Sequence, residues 1–443
     1  MRMNKKARNE RDRELGGMRN VWIITLAMMT LAICYTMLVP FLPVYLLELG
    51  VDKDYVALWS GAIFSITFFI AGLMAPIWGK IADKHGKKMM AVRAGFAIGI
   101  SYIFLGLAQG PWQLLAARAF QGFANGFMPA AMTMVSLSVV DSQVGAALGI
   151  FQTGLILGNV VGPFMGGLVE SIVGMRPVFI VSGLIVALAT AAVLFLVKEP
   201  NMKAASAERQ TASSKEVDTT DQLDVTSSDL KVGQPKAKKV ARSSSIISDF
   251  KFVAKDGILV QLLWLYFFVQ CAIMMLQPIL ALYVGEMKGT MEGAAMLSGI
   301  ILSIGGMAGT ITTNLWVRYG QKKGYFRVIF LCFVGGGTVL LLQSLPFGVL
   351  WFGALQILVG SFLVGVNPSL SAAITLNTDP SFRGRIFGMT TTAQQFGSMV
   401  GPLFASVVST YLGMHWVFTL TGVLLFYLAY KAWHLDKKPD QKV

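Results

Sequence analysis

The sequence predicts an all-α membrane protein whose twelve transmembrane helices form two pseudo-symmetric six-helix bundles. Three observations carry that prediction: apolar runs that recur along nearly the whole chain, cations gathered on one side of those runs, and an internal repeat at a constant spacing. Of the 443 residues, 55% are hydrophobic and 14% charged, and the mean hydropathy is +0.63. A water-soluble protein with that balance would expose large apolar patches, so the solvent for most of this chain is lipid.

A helix crosses a hydrocarbon core of about 30 Å with roughly 17–25 apolar residues. Runs of that length fall at 20–47, 56–78, 91–108, 113–138, 145–169 and 177–197, and again at 257–285, 293–316, 328–345, 348–373, 386–411 and 414–433. The first is too long for a signal-peptide core and lacks a small-residue cleavage site, so it counts as a helix of the mature protein. Between the sixth and seventh runs the composition turns polar, rich in Ser, Lys and acids and poor in aromatics, and such a stretch cannot bury a core. The expected organisation is a cytoplasmic N-terminus (1–19), an N-terminal six-helix bundle (20–198), a cytoplasmic linker (199–250), a C-terminal six-helix bundle (251–433) and a cytoplasmic tail (434–443).

Of the 37 Lys and Arg, 33 fall in the loops and termini of one side, three (Lys53, Arg176 and Lys288) fall on the other, and Arg118 lies inside a run. The positive-inside rule puts both termini and the linker in the cytoplasm of a multi-pass cell-membrane protein. Twelve crossings independently require the termini to share a side. The net charge of +14 is therefore topogenic and calls for no nucleic acid. Cys34, Cys271 and Cys332 are isolated within runs, and His85, His415 and His434 are scattered. Neither set has metal-ligand or triad spacing, so no metal, no catalytic residue and no enzyme is expected.

The repeat runs at an offset of 238. Pro40 pairs with Pro278, Tyr45 with Tyr283, Glu48 with Glu286, Trp78 with Trp316, Gly86 with Gly324, Gly122 with Gly360 and Asp141 with Asp379. With one residue of slip, Gly158, Gly162 and Pro163 pair with Gly397, Gly401 and Pro402. An ordered series across six runs implies two bundles related by an axis along the membrane normal, with a substrate path between them near mid-bilayer.

Four motifs carry mechanism. Between the second and third runs stands Gly79-Lys80-Ile81-Ala82-Asp83-Lys84-His85-Gly86-Lys87-Lys88, a gate loop in which Gly79 and Gly86 permit a reversal, Asp83 accepts from a helix N-terminus, and Lys87 and Lys88 sit on the cation-rich side. Its copy, Val317 to Gly324, has Gln321 in place of the acid, so the two gates are unequal. Arg118 in the fourth run costs at least about 2.5–3.5 kcal/mol unless it faces a polar interior. In the fifth run Gly154, Gly158, Gly162 and Gly166 recur at every fourth position with Pro163 and Gly167 beside them, a stripe that admits another helix at backbone distance.

The gate loop resembles the signature loop of the major facilitator superfamily, departing only by Ile81 for Leu and Lys84 for Arg. Arg118 to Gly126 resembles the superfamily's fourth-helix motif, whose Arg is linked to proton transfer. Gly158-x-x-x-Gly162-Pro163-x-x-Gly166-Gly167 resembles its antiporter motif, which marks exporters. The segments Pro40 to Tyr45, Ala75 to Gly79 and Pro278 to Val284 narrow the resemblance to the twelve-helix drug:proton antiporters of Gram-positive bacteria, over all but the ends and the linker, which is longer than that family's.

The resemblance implies a secondary multidrug exporter that works by alternating access, driven by the proton gradient with no cofactor. Its partners would be small amphiphilic drug-like substrates, protons and membrane lipid, and the chain would act as a monomer. Export of a single endogenous metabolite and nutrient symport are the alternatives. The polar residues expected to line a substrate path are Tyr35, Asn125, Gln152, Gln270, Gln277, Asn367, Gln394 and Gln395, and helix-to-helix hydrogen bonding is the other reading of each. No Asp or Glu falls in the middle of any run, so the proton-coupling candidates are Arg118, Asp83 and Glu48.

Overall fold

The computed structural model describes residues 17–140, 143–198, 253–254, 256–378 and 382–436, without the side chains of Asp83, Lys84 and Asp436. The expected N-terminal extension, linker and tail fall almost wholly outside these residues, as do Asp141 and Asp379. The described chain is all helix. Sixteen α-helices follow one another: α1 (Gly17–Met37), α2 (Leu42–Glu48), α3 (Lys53–His85), α4 (Lys87–Leu107), α5 (Pro111–Ala124), α6 (Phe127–Leu137), α7 (Val144–Val173) and α8 (Met175–Leu196) in the first half, then α9 (Gly257–Leu276), α10 (Leu280–Lys288), α11 (Ala294–Lys323), α12 (Tyr325–Gln343), α13 (Val349–Leu363), α14 (Val366–Leu376), α15 (Arg383–Tyr411) and α16 (Met414–Asp436) in the second.

Among the described residues, ten stretches are long and apolar enough to cross a membrane. The fourth place is held by α5 and α6, each too short alone, and the eleventh by α15, which carries the polar run Thr390 to Gln395. Thr390, Ser398 and Ser406 are buried against neighbouring helices, whereas Thr391 and Thr392 are exposed and donate their hydroxyls to Phe387 O and Gly388 O of their own helix.

The sequence leaves four of the expected runs continuous; the structure breaks them, at matching places in the two halves. The first breaks before Leu42 and the seventh before Leu280, beside Pro40 and Pro278, which have no amide to donate. The fourth breaks at Gly126, whose φ of 131° suits glycine alone, and the tenth at residues 364–365. Freed carbonyls need partners inside a bilayer. The Trp78 indole donates to Phe123 O at 2.7 Å and the Trp316 indole to Ser361 O at 2.6 Å, the same bond at an offset of 238. The Tyr45 hydroxyl donates to Leu105 O at 3.3 Å and the Tyr283 hydroxyl to Gln343 O at 3.4 Å, again at 238. The repeat is thus a repeat of capping chemistry as well as of residues.

Each half has its own apolar core, one running from Val21 to Val197 and one from Val253 to Leu435. The first reaches across to Ala281, Leu282 and Ala295 of the second half. That crossing marks the end at which the halves are closed.

Candidate transport site

Besides a light touch of α2 on α10, the halves meet through two helix pairs, α3 with α15 and α7 with α11. In each of these pairs a glycine faces the carbonyl of a helix proline. A Cβ added at Gly299 would fall on Pro163 O, and one added at Gly61 would fall on the Ser406 hydroxyl and lie 2.6 Å from Pro402 O. Gly61 and Gly299 are themselves 238 apart, so the seal is one backbone contact made twice. The Phe164 amide donates to Ser303 Oγ at 3.0 Å beside it, and a Cβ added at Gly167 would stand 2.8 Å from Met296 Cα. Toward the gate loop these contacts stop: Gly79, Gly145, Gly149 and Gly388 have open space where a Cβ would stand. The structure is therefore shut at the face opposite the gate loop and parted at the gate-loop face.

The glycine stripe of α7 explains how the seal is held. Gly154 lies against Thr25, Gly158 against Met29 O and Ala32, Gly162 against Thr36 and Ile33 O, and Gly166 against Met37 O and Phe41. The Thr36 hydroxyl also donates to Gly158 O at 3.4 Å. One face of α7 thus packs on α1 at backbone distance while Pro163 and Gly167 address α11. The second half repeats this: a Cβ added at Gly397 would fall on Phe267 O and one added at Gly401 would lie 2.5 Å from Cys271 O, joining α15 to α9.

Arg118 is 1% exposed and lies inside the first bundle rather than on the cleft. Its Nη1 donates to Gln121 Oε1 at 2.8 Å, its guanidinium stands 5.7 Å from the Phe64 ring, and Tyr35 and Tyr102 are its electrostatic neighbours. Its Nε and Nη2 have no hydrogen-bond partner among the described residues. A guanidinium does not deprotonate, so this group can act only as a fixed charge that orients its tyrosines or a water chain.

The other candidates are spread out. Glu48 is exposed at the end of α2, within electrostatic reach of Glu170 and Tyr45 at the closed face. The backbone of Asp83 lies in the last turn of α3, and its side chain is outside the described residues. Gly86, at φ 90°, ends α3 and starts α4, with Lys87 and Lys88 in the first turn that follows. Gln395 approaches Gly72 across the cleft, its Cβ 3.8 Å from an added one. Gln394, Gln152 and Tyr35 are half-buried, and Asn367 is exposed. Asn125 is exposed at the break between α5 and α6, where its carbonyl accepts from Arg93 at 3.3 Å. Gln277 occupies the break between α9 and α10 with its Oε1 buried and unpaired, and Gln270 packs its Cβ against Gly397.

Two parts of the site escaped the sequence reading. Gly61 and Gly299 were detectable as a matched pair of the repeat, though nothing marked them as facing the other half. Arg93, whose guanidinium stacks 3.5 Å over Trp78 and caps Ala124 O and Asn125 O, has no match, since Leu331 stands at the equivalent place.

Two repeated bundles, sealed at one face and parted at the other around half-buried polar groups, define a membrane carrier rather than an enzyme. The family model described as Major Facilitator Superfamily matches residues 24–360 and 313–443, and the chain belongs to that superfamily. Multidrug resistance protein MdtG of Proteus mirabilis is 29% identical over 442 residues, 99% of this chain and 100% of the relative. The protein of the same name from Yersinia enterocolitica is 30% identical over 423 residues, 95% of this chain and 94% of that one. Among solved structures, the nucleoside transporter NupG superposes with a TM-score of 0.70 at 13% identity, covering 95% of this chain and 99% of that chain. A bacterial homolog of the human lysosomal transporter Spinster, inward-facing and unoccupied, superposes at 0.67 and 15%, covering 95% and 98%. Both show the fold.

Proposed function

We propose that the chain is a secondary multidrug exporter of the cell membrane that exchanges protons for small amphiphilic compounds by alternating access. The observation that carries the reading is the match to multidrug resistance proteins along essentially the whole of both chains. The glycine stripe of α7 supports export, because it lies where α1, α7 and α11 must slide for the closed face to open. Both termini and the gate loop are cytoplasmic, on the strength of 33 cations gathered on that side. On that orientation the structure is open to the cytoplasm, ready to load cargo. The chain acts as a monomer and needs no cofactor beyond the gradient.

Asp83 biases the cytoplasmic gate, and Arg118 is a fixed charge that biases its polar neighbours or a water chain. Half-buried glutamines around the cleft, chiefly Gln152, Gln394 and Gln395, offer neutral hydrogen bonds to varied cargo, while Phe and Met side chains supply adaptable apolar surface. The test is efflux of a fluorescent lipophilic dye in inverted membrane vesicles, with and without an ionophore that dissipates the proton gradient. Uptake into energised vesicles that stops on adding ionophore is expected. Uptake of one metabolite and of no dye would establish the single-cargo exporter instead.

A further inference from the structure

The gate-loop ends of α9 and α16 enclose a groove of about 330 Å³, apart from the cleft and lined in part by Gln261, Trp264, Phe268, Tyr427, Lys431 and Leu435. Gln261 lies four residues into α9 and Lys431 five residues before the end of α16, so both stand about one turn from the helix ends, at headgroup depth. Trp264 and Tyr427 are 56% and 51% exposed, and Trp264 stacks on Phe268 with centroids 5.6 Å apart, which makes an aromatic wall open to the surrounding lipid.

Lys431 holds its ammonium 5.6 Å from the Tyr427 ring, and no carboxylate among the described residues pairs with it. The nearby Asp256 is turned onto its own helix, accepting from the Ile258 and Leu259 amides at 2.9 and 3.2 Å. The other half has no such set of residues: the positions equivalent to Gln261 and Trp264 are Ile23 and Leu26, and with the one-residue slip the position equivalent to Lys431 is Ala192. The groove is therefore not a by-product of the repeated helix pairing. It joins the Lys431 ammonium and an amide at headgroup level to an apolar trough beneath them, which is the pattern of basic pockets between transmembrane helices that hold acidic headgroups.

We infer that this groove binds one anionic phospholipid, its phosphate on Lys431 and Gln261 and an acyl chain along Trp264, Phe268 and Tyr427. The full-length protein in detergent micelles, titrated with phosphatidylglycerol or with phosphatidylcholine of the same chains, tests this by native mass spectrometry. The measurement is indifferent to which leaflet the groove faces and to whether the protein exports drugs. Phosphatidylglycerol is expected to be retained in preference, and Lys431→Gln to weaken its tightest binding about fivefold. Lys288→Gln, at the other face, should leave it unchanged. Bromination of the phosphatidylglycerol chains should quench a fluorescence component that Trp264→Phe removes. Equal retention by Lys431→Gln and the unaltered protein, equal affinity for phosphatidylcholine, or displacement of the lipid by millimolar inorganic phosphate would each overturn the assignment.

Discussion

Replacing Gly299 by Ala is the sharpest probe of how the carrier changes face. The new Cβ would fall on Pro163 O, a backbone atom of a packed helix that cannot rotate aside. Overpacking of this kind costs about 1–3 kcal/mol, and it is felt only while the α7–α11 seal is shut. The better helix propensity of Ala stabilises both faces alike and cancels. The equilibrium should therefore move roughly fivefold to a hundredfold toward the state open at the opposite face. A cysteine at Met296, which meets Gly167 across the seal, reports that opening through its rate of maleimide labelling, since Cys34, Cys271 and Cys332 are buried. A graded series makes the argument strict. Gly61→Ala meets the Ser406 Cβ, which side-chain rotation does not move, as well as Pro402 O, and should act comparably at the α3–α15 contact. Gly306→Ala meets only a Val160 methyl at 3.0 Å and should act less, while Gly149→Ala has open space and should do nothing. Equal labelling across the series, in protein that is inserted and folded, would refute the seal as the element that switches.

Other outcomes follow from the same geometry. Gly158→Leu should abolish efflux while the protein still inserts, because α1 and α7 meet there with an added Cβ 2.7 Å from Met29 O; near-normal dye efflux would count against it. Asp83→Asn should keep substrate binding yet lose gradient-driven export, with about 1–2 kcal/mol less bias at the gate, read as a several-fold rise in labelling of a cysteine on the cytoplasmic side. Arg93→Leu copies the residue at the equivalent place in the second half, Leu331, and removes the cap on Ala124 O and Asn125 O. It should slow transport and lower thermal stability by about 1–3 kcal/mol, measured by unfolding in detergent.

Much of the architecture was legible because lipid allows so few solutions. A run such as 328–345 can only be a helix, and the residue pairs at 238 state the symmetry outright. The stripe of α7 was legible for the same reason: glycines at every fourth position have no use except close approach, and the structure puts α1 against them. What was hidden depends on tertiary context. The breaks at Gly126 and residues 364–365 look like any helical glycine in sequence; they are stable only because Trp78, Arg93 and Trp316 arrive from neighbouring helices to take the freed carbonyls. The direction of a polar side chain was hidden too. Arg118 turns into its own bundle, toward Tyr35, Tyr102 and Gln121, whereas Gln395 meets the other half, and no periodicity distinguishes an inner face from a cleft face when both are half apolar.

The central claim is that one conformational cycle exchanges a proton for a drug. Inverted vesicles carrying an acidic lumen and a trapped pH-sensitive dye test it most directly. Adding a lipophilic drug should raise the luminal pH at once, as protons leave in exchange for drug entering, and vesicles with Gly158→Leu should show no such change. Drug entry that leaves luminal pH unmoved and continues after an ionophore has collapsed the gradient would contradict the claim.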